Sequence, residues 1–89
     1  MNLKNEVLQE LKKFDLTYNL SDFENLFVLS VDAKNGDVCL PCFMLAKQFK
    51  LAPNIIAQNL CDEIAKQVLE NGIIEKVEAV NGYLNIFAN

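Results

Sequence analysis

Cys39-Leu40-Pro41-Cys42 is the one motif in this chain whose residue types and spacing point directly to covalent chemistry. It follows a short β-rich stretch and opens a helical one. A Cys-x-Pro-Cys pair at a strand-to-helix junction is the setting of a dithiol redox centre, because a helix N-terminus stabilises a thiolate. One reading is therefore a small cytosolic thiol oxidoreductase using Cys39 and Cys42. Such a centre is usually faced by a cis-proline loop, however, and Pro53 comes too soon after the pair to supply it. The plainer reading makes both cysteines small apolar residues at the junction. Cys61 does not extend them into a metal site. It falls on the apolar stripe of a helix, the chain has no His, and structural zinc takes four Cys or His ligands. No metal ligand is expected.

The second candidate lies at the end of the chain. Asn81-Gly82 separates two alternating segments, Ile73 to Val80 and Tyr83 to Ala88, which reads as a hairpin closed by a two-residue type I′ turn. That turn pairs Val80 with Tyr83, Ala79 with Leu84, Glu78 with Asn85, Val77 with Ile86 and Lys76 with Phe87. Alternation then gives Ala79, Leu84, Val77 and Ile86 one apolar face. Tyr83, Asn85, Phe87, Lys76, Glu78 and Val80 form the other, expected as an exposed platform. Tyr offers a stacking surface for an unstacked base, and an Asn amide donates and accepts at an adenine edge. The competing reading covers this face with a helix, another domain or a protein partner.

Composition limits the rest. The chain has 89 residues, 52% hydrophobic and 22% charged, enough for one core without staples. No His means no histidine base, and all eight basic residues are Lys, so no guanidinium clamp exists. A net charge of −4 argues against strong autonomous nucleic-acid binding, though not against RNA contact as part of a larger protein. No Gly-rich phosphate loop occurs, and Glu75, Glu78, Asp62 and Glu63 read as solubilising charges. Three cysteines and no signal-like N-terminus fit a soluble cytoplasmic protein. No catalytic or cofactor-binding residue is expected.

These residues need elements to hold them. Leu3, Val7, Leu8, Leu11 and Phe14 recur at helical spacing, predicting a helix over roughly residues 2–14. Ser21 or Asp22 is a candidate cap for a short helical turn. Leu26 to Val31 reads as a buried strand, Asp32 to Asp37 as a turn built on Asn35-Gly36, and Val38 to Leu40 as another extended piece. Pro41 suits the first position of a helix running to Phe49. Ala57, Leu60, Cys61, Ile64, Ala65 and Val68 form the stripe of a longer helix, with Gly72 placed as its C-terminal cap. The expected fold class is α+β, with about three helices packed on a small, mainly antiparallel sheet ending in the hairpin. Residues 1–89 are expected to be a single domain, and the abrupt Phe87-Ala88-Asn89 ending reads as that expected of a domain from a longer chain.

Three segments, in order, resemble the N-terminal domain of arginyl-tRNA synthetases. Gly36-Asp37-Val38-Cys39-Leu40-Pro41-Cys42-Phe43-Met44-Leu45-Ala46-Lys47 looks like the segment after that domain's first strand, a Gly-Asp pair followed by a helix ending in Leu-Ala-Lys. Pro53-Asn54-Ile55-Ile56-Ala57 resembles its next helix start. Val80-Asn81-Gly82-Tyr83-Leu84-Asn85-Ile86-Phe87 resembles its closing hairpin. Together they cover most of residues 26–89.

The resemblance implies a domain appended to a class I synthetase core that reads the D-loop at the outer corner of arginine tRNA. In bacterial members the aromatic and the Asn of the closing strand contact a D-loop adenosine; those positions are Tyr83 and Asn85 here. Lys76 and Phe87 are neighbouring candidates. The implied partners are arginine tRNA and the catalytic core of the same polypeptide, with no membrane, and the domain is expected to be a monomer. The family's core carries a His-Ile-Gly-His signature, and this chain has no His. ATP use and arginine–tRNA ligase chemistry would therefore belong to a parent enzyme's core, with no cofactor in this segment. Cys39 and Cys42 read as a local variation.

Overall fold

The computed structural model describes residues 2–30, 32, 34 and 36–89. The expected α+β arrangement is present: helices pack on one face of a four-stranded antiparallel sheet of order β1-β2-β4-β3. Helix α1 spans Leu3–Leu11, shorter than the periodicity implied, and Asn2 caps it by accepting a hydrogen bond from Asn5 N. Val7, Leu8 and Leu11 face the core. A 3-10 turn over Leu20–Leu26 is capped by Asn19, which accepts from Ser21 N, rather than by Ser21 or Asp22.

Strand β1 is only Val28–Leu29, and both residues are exposed. The apolar run from Leu26 had read as a buried strand, and Phe27 is indeed fully buried. The two strand residues lie at the edge of a sheet whose outer face carries no second layer among the described residues, and hydropathy alone does not report that. Val31 and Asn35 lie outside the described residues, so the end of that strand and the Asn35 position of its turn do too.

Strand β2 covers Val38–Pro41, so Pro41 ends a strand instead of starting a helix. Helix α2 begins at Phe43 and runs to Phe49, with Lys50 closing it in the left-handed region at φ 56°. Pro53 holds the first helical position that had been assigned to Pro41, opening α3 over Pro53–Ala65. Ile56, Ala57, Leu60 and Ile64 are its buried positions, whereas Ala65 is exposed and Cys61 half-buried. The helix stops well before Gly72. Gln67 donates through Nε2 to Asp15 O and Glu63 O and accepts from Asp15 N, tying the chain to the segment after α1.

Strands β3, Ile74–Val80, and β4, Tyr83–Ala88, close the fold in the register the turn dictates. Asn81 and Gly82 have φ values of 50° and 84°, the positive pair a type I′ turn demands. A bulge at Glu75 shifts the ladder and returns Ile74 to the core side. Leu84 and Ile86 are fully buried against the helices, with Val77 and Ala79 packed at the margin. Each fully buried aliphatic side chain contributes roughly 1.5–3 kcal/mol. Together, Leu40, Leu45, Leu60, Ile64, Leu84 and Ile86 fix the sheet against α2 and α3.

Candidate nucleic-acid interface

Strand β4 is central in the sheet, so its outward residues have neighbours on both sides. Cys39 of β2 and Glu78 of β3 are both Cα partners of Asn85, and Val28 partners Cys39. Directly opposed residues project onto one face, so Val28, Cys39, Asn85 and Glu78 form a row across the outer surface. The next row is Pro41, Tyr83 and Val80. Phe87 pairs with Lys76 beyond Asn85, and the Lys76 ammonium sits 4.6 Å from the Phe87 ring centroid.

Tyr83 is 40% exposed, as a stacking surface must be. Its ring meets that of Phe43 edge-on, centroids 5.2 Å apart at 79°. The support reaches into the turn, where Cys42 N donates to Gly82 O at 3.0 Å. A Cβ on Gly82 would come within 3.2 Å of the Phe43 ring and 3.3 Å of Pro53 Cβ, so a bare backbone lets the two pack beneath the hairpin.

Asn85 departs from expectation. The platform reading placed it on an exposed face, but only 3% of it is accessible. It is a short side chain on a central strand, set between the larger Tyr83 and Phe87 two residues away on either side. Its Oδ1 is buried with no hydrogen-bond partner among the described residues. An amide oxygen held this way is destabilising unless something donates to it.

A groove of about 470 Å³ opens over this amide. Tyr83, Asn85, Cys39, Val80 and Asn81 form its sheet side, while Val28, Leu29, Ser30 and Asp32 form the wall contributed by β1 and the following loop. Sequence reading missed that wall, since the apolar stretch from Leu26 was assigned to the core. The groove thus unites Tyr83 and Asn85, while Lys76 and Phe87 lie outside its lining, one row further along the sheet. A smaller cavity of about 190 Å³ between α1 and the 3-10 turn contains none of the expected site residues.

The cysteines do not form an activated pair. Burial pushes the Cys39 thiol up, and burial, with Cys39 nearby, pushes Cys42 up to about 11. Redox nucleophiles require the opposite shift. Helix α2 begins only after Cys42, which is itself buried, and Cys61 is likewise raised by burial. Among the described residues no three His, Cys, Asp or Glu side chains gather in a metal-binding group, and no helix is long and apolar enough to cross a membrane.

The chain is thus a small α+β domain with a partly aromatic groove on its outer sheet face and unactivated thiols beside it. The arginyl tRNA synthetase N terminal domain model matches residues 1–88, and the chain belongs to that family. It is 36% identical over 89 residues to an arginine–tRNA ligase of Clostridium botulinum, spanning 100% of this chain and 15% of that protein. An arginine–tRNA ligase of Lactobacillus delbrueckii subsp. bulgaricus is 38% identical over 87 residues, covering 98% of this chain and 14% of that protein. The arginyl-tRNA synthetase structure of Thermus thermophilus aligns with a TM-score of 0.58 and 32% identity, over 71% of this chain and 10% of that one. The chain therefore spans about one seventh of the length of these curated relatives.

Proposed function

We propose that this chain is the tRNA-reading segment of an arginine–tRNA ligase and that its groove takes an unstacked D-loop base of arginine tRNA. Tyr83 provides the stacking ring and Asn85 the edge contact, in the roles that the family resemblance implies for an adenosine. Lys76, over the Phe87 ring and 3.6 Å from Glu78 Oε2, lies one row beyond the groove and is the candidate for a neighbouring phosphate. Aminoacylation with ATP belongs to the catalytic core of the parent enzyme. One observation carries the proposal: Asn85, whose amide oxygen is buried without a partner among the described residues, lines the same groove as the partly exposed Tyr83 ring. A folded protein keeps an unsatisfied acceptor at a cost of about 1–3 kcal/mol, and a ligand that donates to it removes that cost.

The test is an NMR titration of the 89-residue chain with an arginine tRNA transcript. Shifts should concentrate at Tyr83, Asn85 and the β1 wall, and Tyr83→Ala and Asn85→Ala should each weaken binding about tenfold or more. Shifts elsewhere, or unchanged affinity in both variants, refute the assignment. The redox reading is disfavoured by the upward shift of both thiols.

A further inference from the structure

A tyrosine on a strand surface has two common χ1 rotamers, and one that stacks on a base must give up that freedom on binding. Tyr83 has a neighbour that removes it beforehand. The Phe43 ring stands edge-on to it, centroids 5.2 Å apart at 79°, a contact that favours one ring orientation. Phe43 is itself firmly held. The bare backbone of Gly82 brings the hairpin turn against its ring, where an added Cβ would lie 3.2 Å from two ring carbons and 3.3 Å from Pro53 Cβ. Immediately before Phe43, Cys42 is fully buried, donates from N to Gly82 O at 3.0 Å and accepts at O from Ala46 N at 2.9 Å. Two residues after it, Leu45 is fully buried in the core. The start of α2 is thus tied both to the hairpin turn and to the core. Phe43 nonetheless stays 43% exposed, so burial alone gives it only part of what a core phenylalanine contributes.

Resting on the groove assignment above, we propose that Phe43 is a positioning residue for RNA reading, one that fixes the Tyr83 ring in its stacking orientation before the base arrives. The affinity it adds is the conformational freedom that Tyr83 no longer loses on binding, about three- to tenfold. The role requires an aromatic edge at position 43, which neither an aliphatic nor an amide side chain supplies.

The experiment uses the 89-residue chain, the arginine tRNA transcript and the variants Phe43→Leu, Phe43→Gln and Tyr83→Ala. Before RNA is added, three-bond couplings at the Tyr83 β-protons should show one χ1 rotamer in wild type and averaged rotamers in both Phe43 variants. NMR titration should then show those variants binding about three- to tenfold more weakly per folded molecule. In a Tyr83→Ala background the same substitutions should change affinity by less than about twofold, because no ring is left to position. Leucine and glutamine both suit a half-exposed helical position, so one variant remains should the other not fold. Wild-type affinity in the Phe43 variants overturns the inference, as does a Tyr83 side chain already averaged in wild type, or an equal loss with and without Tyr83. If Tyr83→Ala weakens binding in those cases, the groove assignment survives. If Tyr83→Ala binds like wild type, both readings fall together.

Discussion

Glu10 occupies the space that a side chain on residue 72 would need: a Cβ added to Gly72 would lie 2.7 Å from both carboxylate oxygens. Those oxygens accept from Ile73 N at 3.0 Å and Ile74 N at 2.9 Å, beside the β3 bulge. Helix α1 thereby fixes the start of the hairpin strand. Glu10→Gln keeps one acceptor and turns an amino group toward the second N–H, which should cost about 2 kcal/mol. Gly72→Ala displaces the carboxylate and should cost a similar amount. Urea denaturation should show both losses while RNA binding per folded molecule stays unchanged; unaltered midpoints would remove Glu10's structural role.

Asn85 should show the reverse pattern. Asn85→Leu replaces an amide whose oxygen has no partner with an apolar side chain of similar size. Stability should rise by about 1 kcal/mol while RNA binding is lost. For a domain of this size the gain corresponds to roughly 4–8 °C in the melting midpoint. A variant that melts lower, yet still binds, would show that the amide serves the fold and not a ligand.

The cysteines make an alkaline prediction. Cys42 is pushed from the ordinary 9.0 to about 11 in the folded chain, so between these values the unfolded state has lost a proton that the folded state keeps. Stability is therefore fully present below pH 9 and falls as pH rises toward 11, on the order of 2–3 kcal/mol from this group. Denaturation of wild type and Cys42→Ala should isolate it from lysine titration: the gap between the two should narrow across that window. A gap of constant size would contradict the shift. At pH 7.5, alkylation of Cys42 in the folded chain should be far slower than that of a free thiol.

Lys50 ends α2 with φ 56°, a conformation that costs an L-residue roughly 1 kcal/mol. Lys50→Gly relieves that strain at the expense of unfolded-state entropy, about 0.4–1 kcal/mol, for a net gain of no more than about 0.5 kcal/mol in thermal or urea melts. A loss of stability would mean that the lysine side chain makes a contribution larger than its backbone cost.

Much of the hairpin was legible from the residues alone. Asn81-Gly82 dictates a two-residue turn because both positions take positive φ, and a side-chain period of two then assigns every cross-strand pair from Val80–Tyr83 outward. The absence of His and Arg, and hence of the chemistry they perform, is equally a property of the sequence. Helix limits were less legible. Pro41 and Pro53 both suit a first helical position, and only β2 pairing Pro41 with Tyr83 decides between them. Gly72 suits a helix cap by type but serves to admit Glu10, a contact across more than sixty positions of chain that no local pattern encodes.

The same division runs through the candidate site. Local alternation put Tyr83 and Asn85 on one face, but it carries no information about which strands flank them. Strand order β1-β2-β4-β3 makes β4 central, and that alone sets Asn85 between Cys39 and Glu78 and buries it. The second wall comes from Val28, Leu29, Ser30 and Asp32, more than fifty residues before Tyr83, by an edge pairing that hydropathy alone does not distinguish from core. Sequence determined which side chains share a strand face, because that depends on backbone geometry over two residues. Tertiary structure decided which became a floor, which a wall and which a buried acceptor, because those depend on packing between distant segments.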